Sequence, residues 1–313
     1  MYDIVIVGAG PAGLTAAIYA RRAEKSVLVI EKDTFGGQIT HSPRVENYPG
    51  FVAISGNEFA DKLIEQAMEQ GAEIELDTVT GLVGEPGNYK VLCGSREYEA
   101  KAVIIATGSR HRTLGIANEE RYTGEGISYC AVCDGAFYRG KRVAVIGGGN
   151  SALQDAVMLS ESCERVTVVQ NLDFLTGEGR LQKILAEREN VEIIYSSVVK
   201  RVLTDASGFC GIVIADAVTG AESELRVNGV FVAIGQVPEN EPFEGVVKLN
   251  DYGYVTAGEA CVPEAAEGAE RALVGIYAAG DCRTKSVRQI TTATADGATA
   301  ALAACRFIDS FGD

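Results

Sequence analysis

Histidine is scarce in this 313-residue chain, which holds only His41 and His111. A zinc site takes four ligands, mostly Cys and His. Beyond Cys130 and Cys133 there is no second closely spaced cysteine pair to complete one, so no metal is expected and both histidines read as ordinary surface or loop residues. Long apolar runs are also missing. Residues 4–7 and 103–106 are strand-sized, far short of the ~20 residues of a membrane span. Basic residues are outnumbered, 28 against 43 acidic, giving a net charge of −15 with no basic cluster. Phosphate backbones are bound by concentrated Lys and Arg, so a nucleic-acid partner is not expected. Six of the eight cysteines (Cys93, Cys163, Cys210, Cys261, Cys282 and Cys305) are widely separated in apolar or small-residue surroundings. They read as buried, inert thiols rather than a disulfide framework. A strand begins at Tyr2 and leaves no room for a signal peptide, so a cytoplasmic protein of two domains is expected.

What is present begins with a β-branched run over residues 3–7, followed by Gly8-Ala9-Gly10-Pro11-Ala12-Gly13, a helical pattern, a strand over residues 26–30 and Glu31. Strand, glycine turn, helix, strand and acid form the dinucleotide-binding unit in full context. Gly8 permits the tight turn, Gly10 lets the backbone approach a pyrophosphate, and Gly13 lets helix and strand pack closely. The helix N-terminus supplies N–H groups for phosphate, and Glu31, 18 residues after Gly13, is placed for a ribose. Glycine and proline then mark loops around Gly36-Gly37-Gln38 and Glu46-Asn47-Tyr48-Pro49-Gly50. Asn57 is expected to cap a helix over residues 58–70, and separate strands are expected at 97–100 and 102–108.

The plan then repeats. A strand over residues 142–146 leads to Gly147-Gly148-Gly149-Asn150-Ser151-Ala152, a second phosphate turn of G-x-G-x-x-A form, with a helix to 160 and a strand at 165–169. Residues 230–235 mirror 103–108, and the first plan resumes near 260, contributing Gly280-Asp281. The expected architecture is α/β, with two nested Rossmann-like domains built on parallel sheets. Residues 114–240 are inserted into a domain made of 1–113 and 241–313, and two thin crossings form a natural hinge. Between the two glycine turns lies Cys130-Ala131-Val132-Cys133-Asp134-Gly135. Two thiols at this spacing are placed for mutual redox chemistry, and a helix start lowers the pKa of one of them. Asp134 is adjacent, placed to exchange protons with the thiols.

These motifs, taken in order with Ala106-Thr107-Gly108, Ala233-Ile234-Gly235 and Arg288-Gln289-Ile290, resemble the low-molecular-weight thioredoxin reductases over nearly the full length. The resemblance implies FAD in the first domain. Its pyrophosphate would lie on Gly10, Pro11 and Ala12 and its ribose on Glu31. Gly37, Gln38 and Asn47 would approach the flavin, with Asp281 near the ribityl chain and Arg288, Gln289 and Ile290 along the ring system. It further implies that Cys133 faces the flavin and Cys130 attacks the disulfide of thioredoxin or a thioredoxin-like protein, and that the chain is a homodimer.

The second nucleotide site departs from the family. Gly147, Gly149, Asn150, Ser151 and Ala152 are intact, but NADPH-dependent members carry a His-Arg-Arg run where this chain reads Gln170-Asn171-Leu172-Asp173. Losing two or three charge-assisted contacts of ~1.5–3 kcal/mol each weakens NADPH by orders of magnitude. NAD(P)H is therefore disfavoured, and reduced ferredoxin or another non-NADPH donor is favoured, as in relatives with degenerate nicotinamide sites. Two alternatives stay open. Arg180 and Lys183 would rebuild a NADPH pocket, or Gln170 and Asn171 would bond the 2′-hydroxyl of NADH; otherwise the chain is a FAD redox sensor without turnover.

Overall fold

The computed structural model describes residues 1–42, 44–206, 208–269 and 273–311. The chain runs β1 (Tyr2–Val7), α1 (Pro11–Arg22), β2 (Val27–Glu31), α2 (Gly56–Glu69), β3 (Glu73–Leu76), β4 (Val79–Glu85), β5 (Asn88–Cys93), β6 (Glu97–Ile105) and β7 (Ser109–His111). It continues through α3 (Glu119–Tyr122), β8 (Ile127–Ser128), α4 (Ala131–Asp134), β9 (Arg142–Ile146), α5 (Asn150–Ser160), β10 (Arg165–Val169), α6 (Gly179–Ala186) and β11 (Val191–Ile194). The remainder is β12 (Ser197–Asp205), β13 (Gly208–Asp216), β14 (Glu222–Leu225), β15 (Gly229–Val232), β16 (Gln236–Pro238), β17 (Ile276–Ala278) and α7 (Ile290–Asp309). Among the described residues no helix is long and apolar enough to cross a membrane.

Two compact units result: Met1–Arg110 with Val237–Asp313, and His111–Gln236. The divisions fall at 110/111 and 236/237 rather than 113/114 and 240/241. The crossing segments β7 and β16 pair with each other as a two-stranded ribbon at this point.

In the first unit the sheet order is β3-β2-β1-β6-β5-β4, with β17 also on β6. Strands β1, β2, β3, β6 and β17 are parallel, while β4 and β5 are antiparallel. Strand periodicity splits β1 between two cores. Ile4 and Ile6 pack with α1 and α7, and Val5 and Val7 pack with β4, β5 and the segment around Phe243. Helices α1 and α7 meet through small side chains, Ala16, Ala17 and Ala20 against Ala300, Ala301 and Ala304. A Cβ on Gly297 would lie 2.2 Å from the Ala12 carbonyl oxygen. That close approach fixes α7 beside the first glycine turn.

The second unit carries a parallel sheet, β11-β10-β9-β15-β8, and an antiparallel one, β12-β13-β14. Val143 and Val145 of β9 pack with α5; Ala144 and Ile146 pack with β13.

Three local expectations change. The two strands expected at 97–100 and 102–108 are one strand, β6. Its first half pairs antiparallel with β5 and its buried second half parallel with β1 and β17. Helix α2 is capped by Ser55, whose hydroxyl accepts from the Glu58 amide at 3.1 Å, and not by Asn57. The closing strand of the second unit stops at Val232.

Candidate functional site

The glycine turn of the first unit is held by backbone proximity. Gly8 has φ +109°, and a Cβ there would lie 2.3 Å from the Ala106 carbonyl oxygen; one on Gly13 would lie 1.9 Å from that of Gly8. Gly10 differs: its nearest neighbour would be the Gly36 carbonyl oxygen at 4.0 Å, so the turn is open there. Pro11 is the first residue of α1, followed by Ala12 and Gly13. First-turn amides lack intrahelical acceptors and face outward. Glu31 ends β2 with one carboxylate oxygen accepting from the Ala9 amide (2.8 Å) and the other from the amides of Lys32 (2.8 Å) and Asp33 (3.0 Å). The acid therefore shapes the turn as well as standing beside it. Gly37 lies against Gly10, and Gln38 follows it with an exposed side chain.

Distant parts of the chain converge here. Gly280 sits against Ala12, and its amide donates to Asp296 Oδ2 at 3.0 Å. Beside it Asp281 Oδ1 is buried with no hydrogen-bond partner among the described residues. Burial pushes the Asp281 carboxyl above its ordinary pKa, with Lys285 and Arg288 opposing. Arg288 stacks over the Tyr254 ring at 4.2 Å and reaches the Asp281 carbonyl at 3.4 Å. Asn47 Nδ2 donates to Gln289 Oε1 at 3.0 Å, joining two residues 242 positions apart. Gln289 caps α7, and Ile290 packs against the buried cluster of Val45, Ile54 and Phe59.

Nothing in the sequence marked Asp296 of α7. Its carboxylate accepts from Arg283 (2.7 and 2.9 Å) and Lys285 (2.9 Å), and Arg283 and Asp296 are both buried. Neither spacing nor composition signals this network, because α7 packing on the turn creates it.

In the second unit Cys130 and Cys133 form a disulfide, and Cys130 is the N-cap of α4. The Cys133 amide lies 3.2 Å from Cys130 Sγ. Ser128, also unmarked in the sequence, bridges the motif. Its buried hydroxyl donates to Asp134 Oδ2 at 2.6 Å and accepts from the Cys130 amide at 3.1 Å. Asp134 Oδ1 is buried without a partner among the described residues, and burial raises the Asp134 pKa against the lowering effect of the Ser128 hydrogen bond. Tyr129 donates to buried Glu119 at 2.5 Å and stacks on His111 at 5.3 Å, so His111 is not an ordinary loop residue. Cys163, Cys261, Cys282 and Cys305 are buried, but Cys93 and Cys210 are only half-buried.

The second glycine turn is also formed. A Cβ on Gly147 would lie 2.5 Å from the Ala233 carbonyl oxygen, Gly149 caps α5, Asn150 and Ser151 begin it, and Ala152 is buried. Gln170 directly follows β10, the position raised above for a ribose ligand. Its side chain is buried, donating to the Phe174 carbonyl at 3.0 Å and accepting from the Asn171 amide at 3.1 Å.

Comparison with known proteins defines the class. The family described as pyridine nucleotide-disulphide oxidoreductase matches residues 2–297. A thioredoxin reductase of Bacillus subtilis (strain 168) is 41% identical over 310 residues, covering 99% of this chain and 95% of that protein. A 34.2 kDa protein in the rubredoxin operon of Clostridium pasteurianum is 41% identical over 307 residues, covering 98% and 97%. The crystal structure of thioredoxin reductase from Streptococcus pyogenes MGAS5005 superposes with a TM-score of 0.92 at 38% identity, covering 99% of both chains. The chain belongs to the pyridine nucleotide-disulphide oxidoreductases and, within them, to the low-molecular-weight thioredoxin reductase type.

FAD is the cofactor expected of this family, and the first unit fits it. The turn is open at Gly10, outward amides stand at α1, and the orphaned Asp281 oxygen is a buried acceptor that a ligand hydroxyl would satisfy.

Proposed function

We propose that the chain reduces the disulfide of thioredoxin or a similar small protein through the Cys130/Cys133 dithiol, with electrons from a donor other than NADPH, reduced ferredoxin being favoured. The observation that carries the first half is the cysteine pair at the start of α4, tied through Ser128 to a buried carboxylate. The donor half is supported by Gln170 to Asp173, which hold no cation, and by Gln170 being turned inward. The relative named for its place in a rubredoxin operon points the same way, toward small iron redox proteins.

In this reading the first unit is the FAD domain. Gly8, Gly10, Pro11, Ala12, Gly13, Glu31, Gly37, Gln38 and Asn47 hold the cofactor from one side, and Asp281, Arg288, Gln289 and Ile290 from the other. The second unit is the pyridine-nucleotide-type domain, and two copies of the chain form a homodimer. Bound FAD supplies a two-electron store that one-electron carriers can fill, so two reduced ferredoxins serve each turnover. Two electrons and two protons convert the disulfide to the dithiol.

Cys130 then attacks the partner disulfide as thiolate, expelling one partner sulfur. Cys133 attacks the Cys130 sulfur of the mixed disulfide, which releases the partner as a dithiol and restores the Cys130–Cys133 bond. The Cys133 amide, aimed at Cys130 Sγ, favours the thiolate on Cys130. Burial raises the Asp134 carboxyl above its ordinary pKa, which suits it to exchange protons with the thiols.

The donor is tested by anaerobic flavin bleaching with reduced ferredoxin, NADH or NADPH, followed by oxidised thioredoxin. Ferredoxin should bleach the flavin, whereas NADPH should need at least ~100-fold higher concentration than an intact site would, the factor set by two missing contacts of ~1.5–3 kcal/mol each. Rapid bleaching by micromolar NADPH refutes the donor assignment.

Ser128 gives a separate expectation. Ser128→Ala removes the hydrogen bond that lowers the Asp134 pKa, so the carboxyl titrates at higher pH. The pH–rate profile should shift alkaline with a roughly tenfold drop in kcat, and Ser128→Thr should restore both. An unmoved profile removes Ser128 from the proton path.

A further inference from the structure

Asn240 follows β16 in the first unit and is only 1% exposed. A buried amide must find acceptors for both N–H bonds and a donor for its oxygen. Asn240 finds all of them. Its Nδ2 donates to the carbonyls of Gly253 and Cys282, each at 2.8 Å. Its Oδ1 accepts from the Thr107 hydroxyl, also at 2.8 Å. Carbonyls can only accept, so Nδ2 must face the two of them and Oδ1 is left for the hydroxyl. The backbone is held as well, since the Asn240 carbonyl accepts from the amide of Phe243 at 2.9 Å and Phe243 is fully buried.

The three partners come from distant parts of the chain, and their contacts converge on Asp281. Cys282 follows Asp281 directly, and its carbonyl accepts a second bond from the Val255 amide at 3.0 Å. Gly253 belongs to the turn that presents Tyr254, whose ring carries Arg288 at 4.2 Å; Arg288 in turn reaches the Asp281 carbonyl at 3.4 Å. Thr107 follows Ala106, the residue whose carbonyl oxygen the first glycine turn approaches at Gly8. On the other flank, the Gly280 amide is held by Asp296. Asp281 is therefore bracketed on both sides, while its own Oδ1 stays buried with no partner among the described residues. An acceptor fixed in this way binds a ligand hydroxyl without first being ordered.

We infer that Asn240 is a positioning residue for the cofactor, fixing the Asp281 carboxylate through Cys282 and through the turn that carries Tyr254. The role rests on the first unit being the FAD domain, and extends it to a residue that acts through Asp281. A purely structural amide of the same build stands in the second unit for comparison. Asn190 Nδ2 donates to the carbonyls of Ser160 (2.9 Å) and Cys163 (3.1 Å), neither of them beside a residue assigned to FAD.

The test follows FAD release from the holoenzyme by flavin fluorescence. Asn→Asp keeps the side chain's shape and removes both N–H donors, so Asn240→Asp should release FAD at least about tenfold faster than the wild type. Asn190→Asp loses the same kind of bonds and should stay within about twofold of the wild-type rate. Because Asn240 works through Asp281, the Asn240→Asp/Asp281→Asn double variant should release FAD within about twofold of Asp281→Asn alone. Thr107→Val removes only the hydroxyl bond and should speed release about threefold. Wild-type release from Asn240→Asp overturns the inference, as does a tenfold effect that persists undiminished in the Asp281→Asn background. Unchanged release from Thr107→Val overturns it even where Asn240→Asp fails to fold. These results leave the cofactor role of Asp281 standing. An Asp281→Asn variant that holds FAD as the wild type does would instead refute that role, and the role of Asn240 with it.

Discussion

Cys133→Ser abolishes disulfide reduction, with a loss on the order of 10³-fold or more, because the resolving thiol has no substitute within the motif. The other six cysteines cannot take its place: Cys163, Cys261, Cys282 and Cys305 are buried, and burial also raises the pKa of Cys93 and Cys210. Cys130→Ser is equally inactive, but the two variants separate on a non-reducing gel. With Cys133 removed, Cys130 still attacks the partner and the mixed disulfide persists. With Cys130 removed, no adduct should accumulate. The structural basis is the asymmetry of the pair, since Cys130 Sγ faces the Cys133 amide and Cys130 caps α4. Adduct trapping in Cys130→Ser instead of Cys133→Ser would exchange the two roles. Turnover in both variants would refute the disulfide-reductase function itself.

The sequence made the cysteine pair and both glycine turns visible because their chemistry depends on residues a few positions apart. Spacing alone placed Gly8, Gly10 and Gly13, and a β-branched apolar run placed β1. Competing local signals were harder. Ser55 and Asn57 are both good N-caps, and the choice between them is tertiary: a Cβ on Gly56 would lie 1.8 Å from the Ile39 carbonyl oxygen. Gln170 presented the same difficulty in another form. An amide at the end of a strand can face a ribose or its own loop, and the contact of Gln170 with the Phe174 carbonyl is set by how that loop folds rather than by spacing. Ser128 and Asp296 lay beyond reach for a different reason. Their significance arises from hydrogen bonds to Asp134, Arg283, Lys285 and Gly280, and nothing in the composition around them differs from an ordinary strand end or helix.

Asp296→Ala is expected to cause the largest loss of stability of any single substitution considered. It leaves the Arg283 guanidinium and the Lys285 ammonium, each with a side chain only 8% exposed, without their shared carboxylate. Removing one partner of a buried pair costs about 3–5 kcal/mol, or a fall in Tm on the order of 10 °C. The effect should extend to the cofactor. Asp296 also accepts from the Gly280 amide, and Gly280 packs on Ala12 directly before Asp281, so the turn carrying the orphaned carboxylate loosens. FAD should dissociate from the variant more readily than from the wild type, measured by released flavin fluorescence.

The pH dependence follows from the same contacts. Burial alone would raise the Asp296 pKa, but the hydrogen bonds from Arg283 and Lys285 outweigh it and hold the carboxyl below its ordinary value. A carboxyl depressed in the folded state stabilises above its unfolded pKa of about 3.9, and that stability is lost as pH falls through the folded value. Wild-type stability should therefore decline below about pH 4 with a component that Asp296→Asn lacks. Unfolding midpoints of the two proteins between neutral and acid pH measure that component. Parallel curves would show that the buried carboxylate is not what holds the Gly280–Asp281 turn against α7.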